Sequence, residues 1–407
     1  MQASNLIKSA SQWQRQFSGR ADNIESSVRS MLENIRQHGD AAINQYSQEF
    51  DQLQPKSIPL KAFDDYDLDV TLKQSIKQAA KRIKAFARFQ KDDLGSRSFS
   101  DEYGEFGQVV KPIERAGCYI PGGRFPLIST ALMTLIPAKV AGCAERIAVS
   151  PVADPAILAA AALAGATQFY QIGGVQAVAA LAFGYADLEP VDVIVGPGNA
   201  YVNEAKAQLQ RQIKIDGLAG PSELLALCDG KTSIEWIILD ALAQSEHDPM
   251  AQSVIVSCDG DWLTQLALRL LEETRYLELI NSEQIVLIQA EDRDQQIDFC
   301  NRYAPEHLML CDENITPDDL THYGSLFIGA NSAVAMGDYC SGPNHTLPTM
   351  GYARQSGGLN VQTFLRTQTI QKVNDYGRQQ LAQLAMPIAQ AEGLSFHYES
   401  LAIRAKN

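Results

Sequence analysis

The sequence predicts an α/β protein with two domains of related architecture on parallel sheets, preceded by a helical region and followed by a tail. Two series of short runs and their punctuation carry this reading. The first series is "RIAVS" (146–150), "QFYQIG" (168–173) and "VDVIVG" (191–196), separated by Ala-rich segments of helical texture. The second is "ELLALC" (223–228), "SVIVSC" (253–258), "QIVLIQ" (284–289), "HLMLC" (307–311) and "SLFIG" (325–329). Strands of the first series exit into "SPVADP", "GGVQA" and "GPGNA", the glycine- and proline-rich turns that βα units need. A chain of 407 residues is long enough for two or three such domains.

Residues 1–100 are polar and helix-rich by pattern. Within them "DVTLKQSIKQAAKRIKAFARFQKDDL" (69–94) spaces apolar residues helically between basic ones, which predicts an amphipathic helix. Residues 330–357 are rich in Gly, Asn and Pro without periodicity, and a loop of that length in a compact domain is usually functional. The last forty residues read as helical and then extended at "FHYESLAIR". Their apolar content is too low for an independent domain, so they must dock on something else.

The formal charge of −14 argues against nucleic acid or an anionic membrane surface as the main partner. No apolar run is long enough to span a bilayer, and the first twenty residues lack the apolar core of a signal peptide. Seven scattered cysteines without a C-x-x-C pair suit reduced thiols and a cytoplasmic location.

In open α/β sheets ligands bind outside the carboxyl ends of the strands, which directs the search to the exit turns. "CYIPGGRFP" (118–126) places Tyr119 before Pro-Gly-Gly, where backbone can approach a ligand. "GGVQAVAAL" (173–181) and "GPGNAYVNEAK" (196–206) put glycines where helices begin, so that free N–H groups could face a phosphate. Each alone is a weak signal that reads first as a tight turn, and it is the three in consecutive units that raise the case for a nucleotide site. Gln244 and His247 in "QSEHDP" lie three apart, on one helix face. With Asp338 and His345 in "GDYCSGPNHTLPT" (337–349), and His397 in the tail, they form a set suited to zinc or a similar divalent ion. Spacing does not choose between His345 and His397 as a ligand. Ser222 in "AGPSELL" either caps a turn or touches a substrate. No G-x-S-x-G elbow surrounds it, which argues against a serine hydrolase. Of the six histidines, His38 and His322 read as solvated. In "YAPEHLML" (303–310), Glu306 and His307 stand where a strand begins, as a solvated turn or as an acid/base pair.

Taken together, "YIPGGRFP", "STALMTLIPAKVAGC", "IGGVQAVAALAFG", "VDVIVGPGNAYVNEAK", "AGPSE", "QSEHDP", "APEHL" and "GDYCSGPNHTLPT" resemble the histidinol dehydrogenase family in order and spacing. The resemblance covers nearly everything beyond residue 100. It implies two related, incomplete Rossmann-like domains in a homodimer with shared active sites. It implies oxidation of L-histidinol to L-histidine in two NAD-dependent steps through an aldehyde, the last step of histidine biosynthesis. Carried over by position, Gln244, His247, Asp338 and His397 would hold one zinc ion per subunit, and Tyr119, Gln176 and Asn199 would contact NAD. Glu306 and His307 would be the acid/base pair. Ser222, His345 and Glu392 would touch substrate alongside the zinc ligands and the acid/base pair. Glu392 and His397 keep the family's offset in "EGLSFH".

These readings divide the chain into a helical arm (1–20), a discontinuous metal-bearing domain (21–115 with 221–360), an NAD-binding domain (116–220) and a helical tail (361–407) that docks on the partner subunit. Two bases in one site match two different steps: His307 removes the hydroxyl proton of the alcohol, and Glu306 activates the water added to the aldehyde. The alternatives are a dehydrogenase of the same fold acting on another amino or sulfonated alcohol, or a zinc hydrolase using Glu306. The hydrolase leaves the three glycine turns without a task.

Overall fold

The computed structural model describes residues 3–15, 21–122, 126–218, 220–246 and 248–406. The first predicted series forms a six-stranded sheet in the order Lys56–Ser57, Gln168–Gln171, Glu145–Ser150, Arg115–Tyr119, Val193–Val195, Lys214–Ile215. All its pairings are parallel except that of the edge strand Lys56–Ser57. The second series forms another six-stranded sheet, fully parallel, in the order Ile7–Ser9, Ile285–Gln289, Gln252–Ser257, Glu223–Cys228, His307–Cys311, Ser325–Ile328. In both, the five strands that follow one another in sequence lie in the order 3-2-1-4-5, the Rossmann order 3-2-1-4-5-6 without its last strand. The two units are therefore one architecture used twice.

Parallel sheets bury both faces, and the apolar continuity of "ELLALC" and "HLMLC" follows from that. Glu223–Cys228 and His307–Cys311 are buried at every position. One face of the second sheet packs on helices Ile234–Ser245 and Gly260–Leu271 through Ile237, Ala241, Leu263 and Leu266. The other packs on helix Arg293–Tyr303 through Phe299 and Tyr303. On the first sheet, helix Ile128–Ala141 is buried along almost its whole length, between the strands and helices Val70–Asp92 and Pro155–Ala164.

The chain divides differently from the sequence reading. Residues 21–92 belong to the first sheet. Helix Ala21–His38 buries Val28, Leu32 and Ile35 with Val178 and Leu181 on one face of that sheet. The predicted amphipathic helix, Val70–Asp92, is capped by Asp69 and buries Ile76, Ile83 and Ala87 on the other. A helical period reveals that a face is buried, but not against what. Of the expected helical arm (1–20), residues 1–2 and 16–20 lie outside the described residues, and 3–15 are not an arm. Ile7–Ser9 is an edge strand of the second sheet, and Trp13 packs on Phe299 and Tyr303. Three residues are too few for a strand period to be read.

The tail also differs. Leu365–Val373 is a strand that pairs antiparallel with Gly104–Pro112, which in turn pairs with Arg97–Asp101. Helices Asp375–Ala391 and Ser395–Ala405 follow, so "FHYESLAIR" is helical rather than extended. These helices pack on each other and leave Leu384, Ile388, Phe396 and Ile403 exposed. No helix among the described residues is long and apolar enough to cross a membrane.

One buried ion pair fixes the turn after Val193–Val195. The Lys206 ammonium, fully buried, donates to the Gly196 carbonyl at 2.9 Å and to Asp216 Oδ1 at 2.5 Å. Asp216 Oδ2 accepts from the Gly196 N–H at 2.7 Å. Gly196 has φ 114°, and a Cβ there would lie 2.2 Å from the Tyr119 carbonyl oxygen, so only glycine fits. Removing one member of such a pair strands the other charge in the core. Lys206→Ala should lower the unfolding free energy by about 3–5 kcal/mol in a urea titration. A loss below about 1 kcal/mol would mean the pair does not hold this turn.

Candidate active site

The helix Arg293–Tyr303 ends at Ala304, whose φ of 51° turns the chain sharply through Pro305 toward the second sheet. Glu306 and His307 follow, both 4% exposed, so they are not a solvated turn. They sit at the amino end of their strand, not at an exit. The exit rule that locates the glycine turns of the first sheet does not locate this pair.

Glu306 Oε2 accepts a hydrogen bond from the Glu223 backbone N–H at 2.7 Å and stands 3.4 Å from His307 Nδ1. The same His307 Nδ1 lies 3.1 Å from the Glu223 carbonyl oxygen. A carbonyl can only accept, so Nδ1 carries a proton, and in the neutral ring Nε2 is the basic nitrogen. Nε2 is 3.8 Å from Asp338 Oδ1. Burial works against a charged ring, but the Glu306 carboxylate and then Asp338 outweigh it and raise His307 to about 9. Glu223 is itself buried, which pushes its carboxyl up to about 7 against the pull of Arg15.

His307 opens on a cavity of about 330 Å³, lined also by His345, Phe327, Ser325, Asn331 and Asn344. The loop carrying His345 joins the two sheets. His345 Nδ1 is 2.8 Å from the Asp338 carbonyl oxygen, and its Nε2 is 3.2 Å from Thr130 Oγ1 on helix Ile128–Ala141. Asn344 donates to the Met133 carbonyl of that same helix at 2.6 Å. Burial lowers the His345 pKa, which favours the neutral ring. Ser222 lies just before Glu223, and its carbonyl accepts from Gln252 N at 3.0 Å.

Gln244 is in the last turn of helix Ile234–Ser245, which touches the short helix Val334–Tyr339 that carries Asp338. It is 3% exposed, and its Nε2 is buried without a hydrogen-bond partner among the described residues. His247 lies outside the described residues. Among those described, no three His, Cys, Asp or Glu side chains cluster closely enough to hold a metal. Glu392 and His397 are exposed on the tail, at the end of one helix and within the next. Neither is hydrogen-bonded or ion-paired to Asp338 or His307.

At the carboxyl end of the first sheet, the Tyr119 hydroxyl accepts from Gly174 N–H at 3.2 Å. Burial raises that hydroxyl to about 12, so it stays protonated. Gln176 Nε2 donates to Asp51 Oδ2 at 2.7 Å. Asn199 Oδ1 caps helix Ala200–Leu209, accepting from Tyr201 N and Val202 N at 3.1 Å each. The three turns thus lie along one edge, each with a local structural task.

Sequence reasoning missed Glu223, Arg15 and Thr130. A signal for the first was present: Glu223 is the one charge in "ELLALC", at the head of an otherwise apolar buried strand. Such a charge requires a partner. Nothing in the sequence marks Arg15 or Thr130.

A sequence profile described as histidinol dehydrogenase matches residues 14–405. The histidinol dehydrogenase of Cupriavidus pinatubonensis is 38% identical over 95% of this chain and 92% of its own length. That of Methanocaldococcus jannaschii is also 38% identical, over 95% and 93%. The crystal structure of histidinol dehydrogenase from Elizabethkingia anophelis superposes with a TM-score of 0.86 at 34% identity, covering 99% of this chain and 95% of that one. The chain belongs to the histidinol dehydrogenase family.

Proposed function

We propose that the protein oxidises L-histidinol to L-histidine through the aldehyde, in two NAD-dependent steps, with zinc bound at Gln244, His247, Asp338 and His397. The observation that carries this is the buried Glu306–His307 pair, whose imidazole faces Asp338 with Nε2 and lines a cavity.

His307 takes the hydroxyl proton of the alcohol at Nε2, and NAD, when bound, accepts the hydride that leaves carbon. The ring must be neutral to do this. Asp338 is one of the two carboxylates that hold a proton on it, and it does so less strongly once engaged by a cation. In the second step water adds to the aldehyde, and the hydrate gives up a hydride, to a second NAD, and two protons to become the carboxylate. Glu306 takes the proton from that water. Its carboxylate is held by the Glu223 N–H and lies beside His307, so both bases address one bound carbon.

The donor set fits a divalent cation. Gln244 is a buried amide whose Nε2 end lacks a hydrogen-bond partner among the described residues; with the amide turned over, its Oε1 would take that place as a ligand, and Asp338 is one-fifth exposed beside His307. Oxygen and nitrogen donors of this kind suit zinc, which would orient a substrate bearing an imidazole and an amine. Tyr119, Gln176 and Asn199, at the carboxyl edge of the first sheet, are the proposed NAD contacts, and the glycine turns there let a dinucleotide backbone approach.

Glu392 and His397 enter the site from a partner subunit. The tail helices expose Leu384, Ile388, Phe396 and Ile403, while Trp236, Leu239, Met336 and Tyr339 are exposed on the helices that carry Gln244 and Asp338. Two such apolar faces on one chain suit a two-fold dimer in which each tail covers the other body.

Glu306→Gln should slow aldehyde oxidation far more than alcohol oxidation when the half-reactions are assayed separately, because only the aldehyde step needs activated water. Equal losses in both would count against separate roles.

Asp338→Asn should reduce the zinc found by elemental analysis of the purified protein while NAD binding persists. Wild-type zinc content in that variant would remove Asp338 from the metal site.

His307→Ala and His397→Ala proteins, each nearly inactive, should regain activity when refolded together. Random pairing makes about half the dimers mixed, and each mixed dimer has one intact site, so roughly a quarter of all sites should work. No recovery with mixed dimers present by mass would mean that each tail serves its own chain.

A further inference from the structure

We infer that Arg15 and Glu223 are positioning residues for the Glu306–His307 pair, which makes the amino-terminal segment part of the active site's support. The inference rests on the proposed role of that pair.

Glu223 serves the pair through its main chain: its N–H holds Glu306 Oε2 and its carbonyl holds His307 Nδ1. Neither contact requires a carboxylate side chain. Yet the residue is a glutamate, 4% exposed, at the head of an apolar strand, where a buried charge costs several kcal/mol unless it is paired. Its carboxylate has two partners. Oε2 accepts from Arg15 Nη2 at 3.2 Å, and Oε1 accepts from the Met350 N–H at 3.1 Å.

Arg15 reaches the site from the segment that follows edge strand Ile7–Ser9. The same Nη2 donates to the Tyr303 carbonyl at 3.1 Å, and the guanidinium lies over the Tyr303 ring, 3.7 Å from its centroid. Tyr303 is the last residue of the helix that leads through Ala304 and Pro305 into Glu306. One guanidinium therefore ties the start of strand Glu223–Cys228 to the turn that delivers Glu306 and His307. The third anchor, Met350, has φ 57° and lies five residues beyond His345, in the loop that reaches the first sheet. A non-glycine residue in that conformation persists only where its surroundings hold it, and the Glu223 carboxylate is one such hold. The clamp fixes three segments relative to one another: strand head, helix exit and loop. Displacements of about an ångström among such segments are enough to disrupt proton transfer.

The test compares Arg15→Gln, Arg15→Lys, Glu223→Gln and the double variant Arg15→Gln/Glu223→Gln with wild type and with His307→Ala. The measurements are kcat for each half-reaction, KM for NAD and thermal midpoint. Arg15→Gln and Glu223→Gln should each lose about 10- to 100-fold in kcat in both half-reactions. KM for NAD should stay within about two-fold, since the dinucleotide turns are on the other sheet. Arg15→Lys, which keeps the charge without the planar fork, should recover part of the loss. The double variant should be no worse than the worse single one, because both remove the same contact. If Glu223→Gln does not fold, the Arg15 pair of variants decides alone. Arg15→Gln with kcat within about two-fold of wild type, while His307→Ala is inactive, would overturn the inference and leave the proposed function standing. An active His307→Ala would instead remove the pair's role, and the inference with it.

Discussion

A carboxylate and an imidazole can lie together in a protein interior only if other groups fix their protons and satisfy their remaining lone pairs. Here a single residue does both from its backbone. The Glu223 N–H commits Glu306 Oε2, and the Glu223 carbonyl commits His307 Nδ1, which leaves Nε2 as the nitrogen that gains and loses the ring's second proton. Parallel pairing of Glu223–Cys228 with His307–Cys311 puts Leu224 opposite His307, so the register itself brings Glu223 to the pair. A one-residue slip would turn each side chain to the opposite face and dissolve the arrangement.

The duplicated sheet order supplies the rest of the geometry. Each sheet alone offers one edge: glycine turns at the carboxyl end of the first, and the Glu–His pair at the amino end of the second. The loop carrying Asn344 and His345 spans them, bonding Met133 and Thr130 on a helix of the first sheet while its own backbone neighbour Asp338 faces His307. The chemistry proposed for the site needs a dinucleotide and a base to meet at one carbon, and this loop is where the two units are held together. The Lys206–Asp216 pair holds the turn on the first sheet as Arg15–Glu223 holds the strand head on the second. Buried ion pairs thus occur beneath both halves.

Much of the fold was legible because buried parallel strands are apolar without interruption. All eight runs became strands, and the helix from residue 70 began at the capping Asp69. What could not be read was which body each helix covers, because an apolar stripe has no address. Residues 21–92 moved to the first sheet for that reason, and the three-residue edge strand Ile7–Ser9 was too short to leave a period. Among the candidate residues, Glu306, His307, Asp338 and His345 lie within one connected set of short contacts. Tyr119 and Gln176 flank one turn through Gly174 and Asp51. Arg15 was invisible because its function depends on a partner 208 residues away.

In the proposed chemistry one site carries out two successive oxidations on one carbon. It is tested most directly by counting NADH formed per L-histidinol when limiting substrate is run to completion with excess NAD. Two equivalents, with L-histidine as the only product, are expected. One equivalent, with the aldehyde accumulating, would contradict it.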